Sequence, residues 1–284
     1  MSIVITGATG RFGRLVTADL LAAGVPAADI TAAVRDEGKA ADLQERGVAL
    51  LVSDYDRPET WAFSPEDRVL LVSGTEVGRR TAQHAAVIDA AKLAGVAQLA
   101  YLSVFDAPHA DFALAADHRA TEQLILDSGL PYTFLRNDWY TEMYVLDLPG
   151  VVERGAVTNA VPPGSRIATA ARADYAEAAA VVLRTDGHAN RAYELSGDVA
   201  WTFDEFAAEL SRQTGKAITH QPVSAADMTA ILVGAGLPRA GAEVLAEVDG
   251  AIGRGRLAGT PGELSRLVGR PTTPFADTIR AALA

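Results

Sequence analysis

Residues 2–14 read SIVITGATGRFGR. A short β-branched run, Ile3 to Thr6, passes at once into three glycines spaced three apart, Gly7, Gly10 and Gly13. Phe12, Leu15, Val16 and Leu20 then fall on one face at a 3.6-residue period, and Gly24 stands where such a helix would end. ITAAV at 30–34 resumes a strand pattern. Strand, glycine turn, helix, strand is a βαβ unit. In its first turn one glycine lets the chain bend tightly, another lets a diphosphate reach the main chain, and a third lets helix pack against strand. The helix start then offers unpaired N–H groups and the positive end of its dipole to an anion. The same glycines also suit a tight turn with no ligand, but their place between the first strand and the first helix favours a phosphate cradle.

Further short strand patterns follow: VALLV at 48–52, RVLLV at 68–72, QLAYLS at 98–103 and YTFLR at 132–136. Amphipathic stretches at 79–94 and 116–128 have the length that parallel crossovers need. The alternation predicts an α/β fold, a Rossmann-type doubly wound parallel sheet. From about residue 140 the rhythm breaks at Pro149-Gly150 and Pro162-Pro163-Gly164, and helical patterns prevail. Thr202 with Glu205, and Ser224 with Asp227, read as helix starts, with Gly215 and Gly236 as stops. The expected organisation is a nucleotide-binding core over 1–148, with 165–200 returning to it and 190–195 as a further strand. A smaller, mostly helical lobe over 149–284 completes it.

Composition narrows the chemistry. The chain has 284 residues, 49% of them hydrophobic, and no apolar run approaches the roughly 20 residues of a membrane helix. No secretory signal pattern opens it, so the cytoplasm is the expected compartment. It has no cysteine, and its five histidines form no helical His-x-x-x-His pair, which argues against a protein-built transition-metal site. A net charge of −11 with no basic run to offset it would repel a nucleic-acid backbone.

In this fold the side chain closing the second strand meets the adenosine ribose, and here it is Arg35, followed at once by Asp36. A guanidinium can grip a 2′-phosphate with two hydrogen bonds, and Arg11 and Arg14 lie near enough in sequence to add charge, so NADPH is favoured over NADH. A solvated strand-end arginine is the plainer reading. Asp54 and Tyr55 close the third strand, where they can border the adenine, although an aspartate there equally makes a turn. The fourth strand ends Ser73-Gly74-Thr75-Glu76 and the fifth at Ser103; the two serines serve either the cofactor or as helix caps. No Tyr-x-x-x-Lys pair exists, so the proton donor that a ketone reductase needs is missing. A quinone, reduced to a delocalised and weakly basic phenolate, can take its proton from water or a weak donor.

The segments ITGATGRFG, AAVRD, SDY, LLVSGTEVGRR, LAYLSVFDAP, AADHRATEQLILDSGLPYTFLRNDWYTEMY, RADYAEAAA, YELSGDVAWT and PTTPFADTI together resemble the NmrA-like atypical short-chain dehydrogenase/reductase family. The pattern is nearest to its NAD(P)H:quinone oxidoreductase and triphenylmethane reductase branch, from residue 2 to about 280. The resemblance implies an NADP(H) site built from Gly7, Ala8, Thr9, Gly10, Arg11 and Phe12, with Arg35, the loop Ser73, Gly74, Thr75 and Glu76, and the segment from Asn137 to Glu142. It implies that Asn137 hydrogen-bonds near the nicotinamide, with Trp139 and Tyr140 beside it. Trp139, Tyr140 and Tyr144 then wall a flat acceptor by stacking, unless they only fill the seam between core and tail. His118 stands where many members carry lysine, and an imidazole there orients the nicotinamide ribose, relays a proton near neutral pH, or makes a structural hydrogen bond.

The implied activity is direct hydride transfer from NADPH to a quinone or similar conjugated acceptor, without flavin or metal. The alternative is a non-catalytic NADP(H)-binding redox sensor. A nucleotide-sugar epimerase shares the glycine spacing but needs the absent Tyr-x-x-x-Lys pair. The resemblance allows a homodimer, though no surface stripe in the sequence argues for one.

Overall fold

The computed structural model describes residues 2–74, 76 and 78–284. In chain order, Ile3–Ile5 (β1) leads to Arg11–Ala22 (α1), Ile30–Val34 (β2), Ala41–Glu45 (α2), Ala49–Val52 (β3), Arg68–Leu71 (β4), Arg80–Ala94 (α3), Gln98–Val104 (β5), Ala113–Ser128 (α4) and Tyr132–Asn137 (β6). Leu148–Arg154 (α5), Ala156–Asn159 (β7), Arg166–Ile167 (β8), Arg172–Arg184 (α6) and Arg191–Leu195 (β9) come next. Trp201–Thr202 (β10), Phe203–Thr214 (α7), Thr219–Pro222 (β11), Ala225–Gly234 (α8), Arg239–Gly253 (α9), Glu263–Val268 (α10) and Phe275–Leu283 (α11) complete the chain.

Seven strands form the main sheet in the order β3-β2-β1-β4-β5-β6-β9. The pairings from β3 across to β6 are parallel. The last strand also runs parallel: Asn190 N bonds Tyr132 O near one end and Asp138 N bonds Leu195 O near the other. Chain direction across the sheet reverses between β1 and β4, so the crevice at the carboxyl ends of these strands is the switch point where such sheets take ligands. Both faces are covered, and β5 is buried along its whole length. Val4, Val69, Leu71, Leu99, Tyr101, Val87, Ile88, Ile125 and Phe134 pack one core there.

The chain divides into two compact units: 1–108, 116–137 and 173–194 form the first, and 109–115, 138–172 and 195–284 the second. The core therefore closes after Asn137, eleven residues before the boundary at 148 expected from sequence, and the returning stretch is 173–194. Pro149-Gly150 misled because it opens a helix. Asp147 caps α5 by accepting from Gly150 N, with proline in the first turn where no N–H is needed. Residues 109–115 join the second unit through polar links. Ala113 N donates to Glu247 (3.0 Å), and Arg254 and Arg256 both reach Asp111.

The second unit is mostly helical, with two small sheets, β10-β8 and β11-β7. Thr202 and Glu205 make the expected capping box on α7, which Gly215 ends in a left-handed conformation. Ser224 caps α8 by accepting from Asp227 N. Trp201, Phe203, Phe206, Leu210, Val248 and Ile252 are among the buried side chains of its core.

Candidate functional site

The glycine turn carries the geometry its spacing implied. Gly7 sits at φ +59°, in the left-handed region that disfavours other residues, and Gly10 N closes the turn on Gly7 O at 2.9 Å. A Cβ at Gly13 would lie 2.6 Å from Gly7 O and 2.7 Å from Ala8 Cα, so the third glycine is what allows α1 to pack against the turn. Gly10 is the N-cap of α1 and has no side chain to satisfy the first-turn amides. Ala8, Phe12 and Gly13 are buried behind the turn, and Thr9 and Gly10 face outward with Gly7.

Beside the turn lies a cavity of about 340 Å³, bounded entirely by the first unit. Gly7, Thr9 and Gly10 form one side, Arg35, Asp54 and Tyr55 another, and Ser73, Gly74 and Glu76 a third. Nine of the residues named from sequence are thus brought together; Thr75 lies outside the described residues. The cavity also takes Ala33, Val34, Trp61, Val72 and Gln83. Ala33, Val34 and Val72 could have been read from their places just before Arg35 and Ser73. Trp61 carried no signal, because it sits in a loop beyond the third strand.

Arg35 is exposed, with no ion-pair or hydrogen-bond partner among the described residues, and so is Arg11. Arg14 is not free to add charge, because its guanidinium pairs with Asp42 and donates to Thr9 O and Lys39 O. Asp54 plays the turn role, its carboxylate accepting Asp56 N at 3.0 Å. Tyr55 donates to Thr6 Oγ1 at 3.0 Å, and burial pushes its hydroxyl up to about 12. Its ring lies 5.2 Å from that of Trp61, an aromatic corner in the cavity wall. Glu76 pairs with Arg79, which also reaches Asp56.

Ser103 takes neither of its two expected places, and His118 makes the hydrogen bond that was one of its three alternatives. Ser103 neither lines the cavity nor caps a helix. It is buried and donates to Glu122 Oε1 at 2.6 Å, because Glu122 is drawn inward by Arg136 (2.7 Å), which also pairs with Glu194. His118 is buried, with Nδ1 2.8 Å from the Tyr101 hydroxyl. Burial, then the Arg80 guanidinium and His84, hold its pKa well below the ordinary histidine value. A relay titrating near neutral pH is therefore replaced by a neutral imidazole with a structural hydrogen bond.

Asn137 closes β6 at the carboxyl edge of the sheet. Its main-chain carbonyl accepts Phe105 N at 2.9 Å, but its side chain is only 5% exposed and neither the amide oxygen nor the nitrogen has a partner among the described residues. A buried amide with both functions unmet is uncommon and calls for an explanation.

In the second unit the Arg172 guanidinium lies over the Tyr140 ring, 4.9 Å from its centroid. Tyr144 meets Trp201, Phe203 and Phe206 edge-on, and Trp139 packs on the same core. Burial and the Asp249 and Asp138 carboxylates push the Tyr144 hydroxyl well above its ordinary range. These contacts show how far the two rings serve packing, while Trp139, Tyr140 and Tyr144 each keep part of their surface open.

The model of a family described as NAD(P)H-binding matches residues 7–186. Quinone oxidoreductase 2 of Escherichia coli is 43% identical over 279 residues, 98% of this chain and 97% of that protein. A crystal structure of an E. coli NADPH-dependent quinone oxidoreductase complexed with NADPH superimposes with a TM-score of 0.94 at 41% identity, over 99% of this chain and 100% of that one. The Citrobacter triphenylmethane reductase complexed with NADP(H) gives 0.92 at 39% identity, with coverage of 99% and 100%.

Proposed function

This chain belongs to the NAD(P)H-binding family, and from that premise we propose that it oxidises NADPH, passing the hydride directly to a quinone or a similarly conjugated acceptor. The residues present fit the dinucleotide. The turn from Gly7 to Gly10 leaves bare main chain and first-turn amides for a diphosphate. Arg35, unpaired at the cavity rim, is the cation that a 2′-phosphate requires.

The observation that carries the reading is the orphaned Asn137 side chain. One buried donor and one buried acceptor on the same group are the complement of a carboxamide or ribose hydroxyl, and no group among the described residues meets them. When bound, NADPH supplies the hydride and its electron pair. The chain's part is to hold and orient: glycine amides and Arg35 fix one end of the nucleotide, and Asn137 fixes the other. His118 and Tyr101, both buried, hydrogen-bond to each other, and the proton for the reduced acceptor comes from solvent, which a delocalised phenolate permits. The aromatic side chains of the second unit, Trp139, Tyr140 and Tyr144, supply stacking surface for a flat acceptor.

Paired calorimetric titrations with NADPH and NADH, followed by a panel of benzoquinones and cationic dyes, test the proposal. Tighter binding of NADPH and steady acceptor-dependent loss of reduced-nicotinamide absorbance are expected. Arg35→Ala should bring the two dissociation constants together by weakening NADPH roughly 10- to 100-fold, the worth of a charge-assisted phosphate contact. NADPH binding with no oxidation across the panel would assign the protein to the sensing class instead.

A further inference from the structure

We propose that His84 is a positioning residue of the cofactor site: its ring accepts the Gly74 N–H and so fixes the loop leaving β4 as one wall of the dinucleotide cavity. The inference rests on the reading of that cavity given above. His84 lies on α3 and is fully buried, and it does not itself line the cavity. Its Nε2 stands 2.9 Å from Gly74 N. A backbone N–H can only donate, so Nε2 must be the acceptor and the ring must carry its proton on Nδ1.

That Nδ1 lies 3.0 Å from Thr121 Oγ1, which in turn donates to the Asp117 main-chain carbonyl at 2.9 Å. The chain of hydrogen bonds therefore begins at a main-chain donor in the cavity loop, ends at a main-chain acceptor in α4, and leaves His84 one tautomer. The groups facing the ring agree. Burial, then the Arg80 guanidinium, disfavours a charged imidazole, the Asp117 carboxylate opposes them, and the outcome is a pKa lowered to about 4. The ring edge of His84 meets Tyr101, which bonds His118, so one buried polar cluster braces Gly74 from behind.

The loop needs the brace because Val72, Ser73, Gly74 and Glu76 all border the cavity, and the amides of Val72 and Gly74 are held there by side chains. Val72 N is taken by Thr6 Oγ1 at 2.9 Å, and Gly74 N by His84. Without an acceptor there, the amide of Gly74 would have to turn toward water or toward the cavity, changing the wall against which the nucleotide lies.

The test compares His84→Leu, which removes the acceptor, with His84→Gln, whose side-chain oxygen can accept from Gly74 N and whose amide N–H can donate to Thr121 Oγ1. Calorimetry with NADPH and thermal melts are run on both and on the unaltered protein. The expected result is NADPH binding weakened about tenfold in His84→Leu and restored to within about threefold in His84→Gln, although both lose melting temperature. Equal binding by the two variants, whether both weak or both unchanged, overturns the proposal. Failure of the unaltered protein to bind NADPH overturns the underlying reading instead. Should His84→Leu not fold, nitrogen-15 spectra of histidine-labelled unaltered protein at neutral pH decide, with the His84 signal assigned by its loss in His84→Gln. A proton on Nδ1 is expected, and a ring protonated on Nε2 or on both nitrogens overturns the assignment.

Discussion

Asn137 shows how a single side chain can be badly placed for stability and well placed for binding. Its amide is buried without partners among the described residues, a circumstance that costs the free protein about 1–3 kcal/mol for the unmet group. Leucine has a similar volume and no polar atom to satisfy. Asn137→Leu is expected to hold or raise the melting temperature, by about 2–4 °C per kcal/mol recovered, while NADPH binding weakens about tenfold or more. Opposite movement of the two readouts is what a packing role cannot produce, and unchanged NADPH binding would remove Asn137 from the site. Asn137 was named only through the family resemblance that LRNDWY carries. His84 and Trp61 were not named for the site. One acts from a helix through a main-chain amide and the other from an irregular loop, and neither position carries a periodic signal.

At the scale of elements, the sequence was most informative where one side chain has one physical reason to be there. The parallel strands β1 to β6 were readable because each is a short run rich in apolar residues set between helical patterns, and all six lie within a residue or two of their expected ends. The boundary of the second unit was not readable, since a proline and glycine pair marks a helix start as readily as a break. The packing of α1 on its turn depends on Gly13 alone. A methyl group there would meet main-chain atoms of Gly7 and Ala8 at 2.6–2.7 Å, and backbone cannot step aside as a side chain can. Gly13→Ala should therefore push α1 outward, cost roughly 1–3 kcal/mol of stability, as overpacking does, and abolish measurable NADPH binding, because the first-turn amides of α1 move with the helix. Retention of both stability and binding would mean that the turn relaxes freely, contrary to its closed hydrogen bond at Gly10.

Over the whole molecule, an acidic chain of net charge −11 presents two arginines without a partner among the described residues, Arg11 and Arg35, at or next to the cavity turn, where they offset the Asp54 and Glu76 carboxylates of the same cavity toward a polyanionic nucleotide. Buried titratable groups elsewhere set how stability responds to pH, and they act in opposite directions. His84, lowered from 6.5 to about 4, is neutral in the folded protein while the unfolded chain takes up a proton, so its contribution is lost as pH falls from about 6.5 toward 4. Asp249, in the second unit, accepts Ala160 N at 2.8 Å, and burial raises it from 3.8 to about 6. Between those values the folded state holds a proton that the unfolded chain has released, so stability falls as pH rises from about 4 to 6 and stays lowered above. Replacement of Asp249 by asparagine keeps an oxygen for Ala160 N and removes the charge. Chemical denaturation should find Asp249→Asn and the unaltered protein equally stable below about pH 4, the variant gaining through pH 4 to 6 and ahead by up to about 3 kcal/mol at pH 8. Tyr144, the neighbour whose hydroxyl Asp249 pushes up, titrates far above this range, so the difference between pH 4 and 8 isolates Asp249, and a gap that does not change there would show that its carboxyl ionises in the folded protein as it does in water.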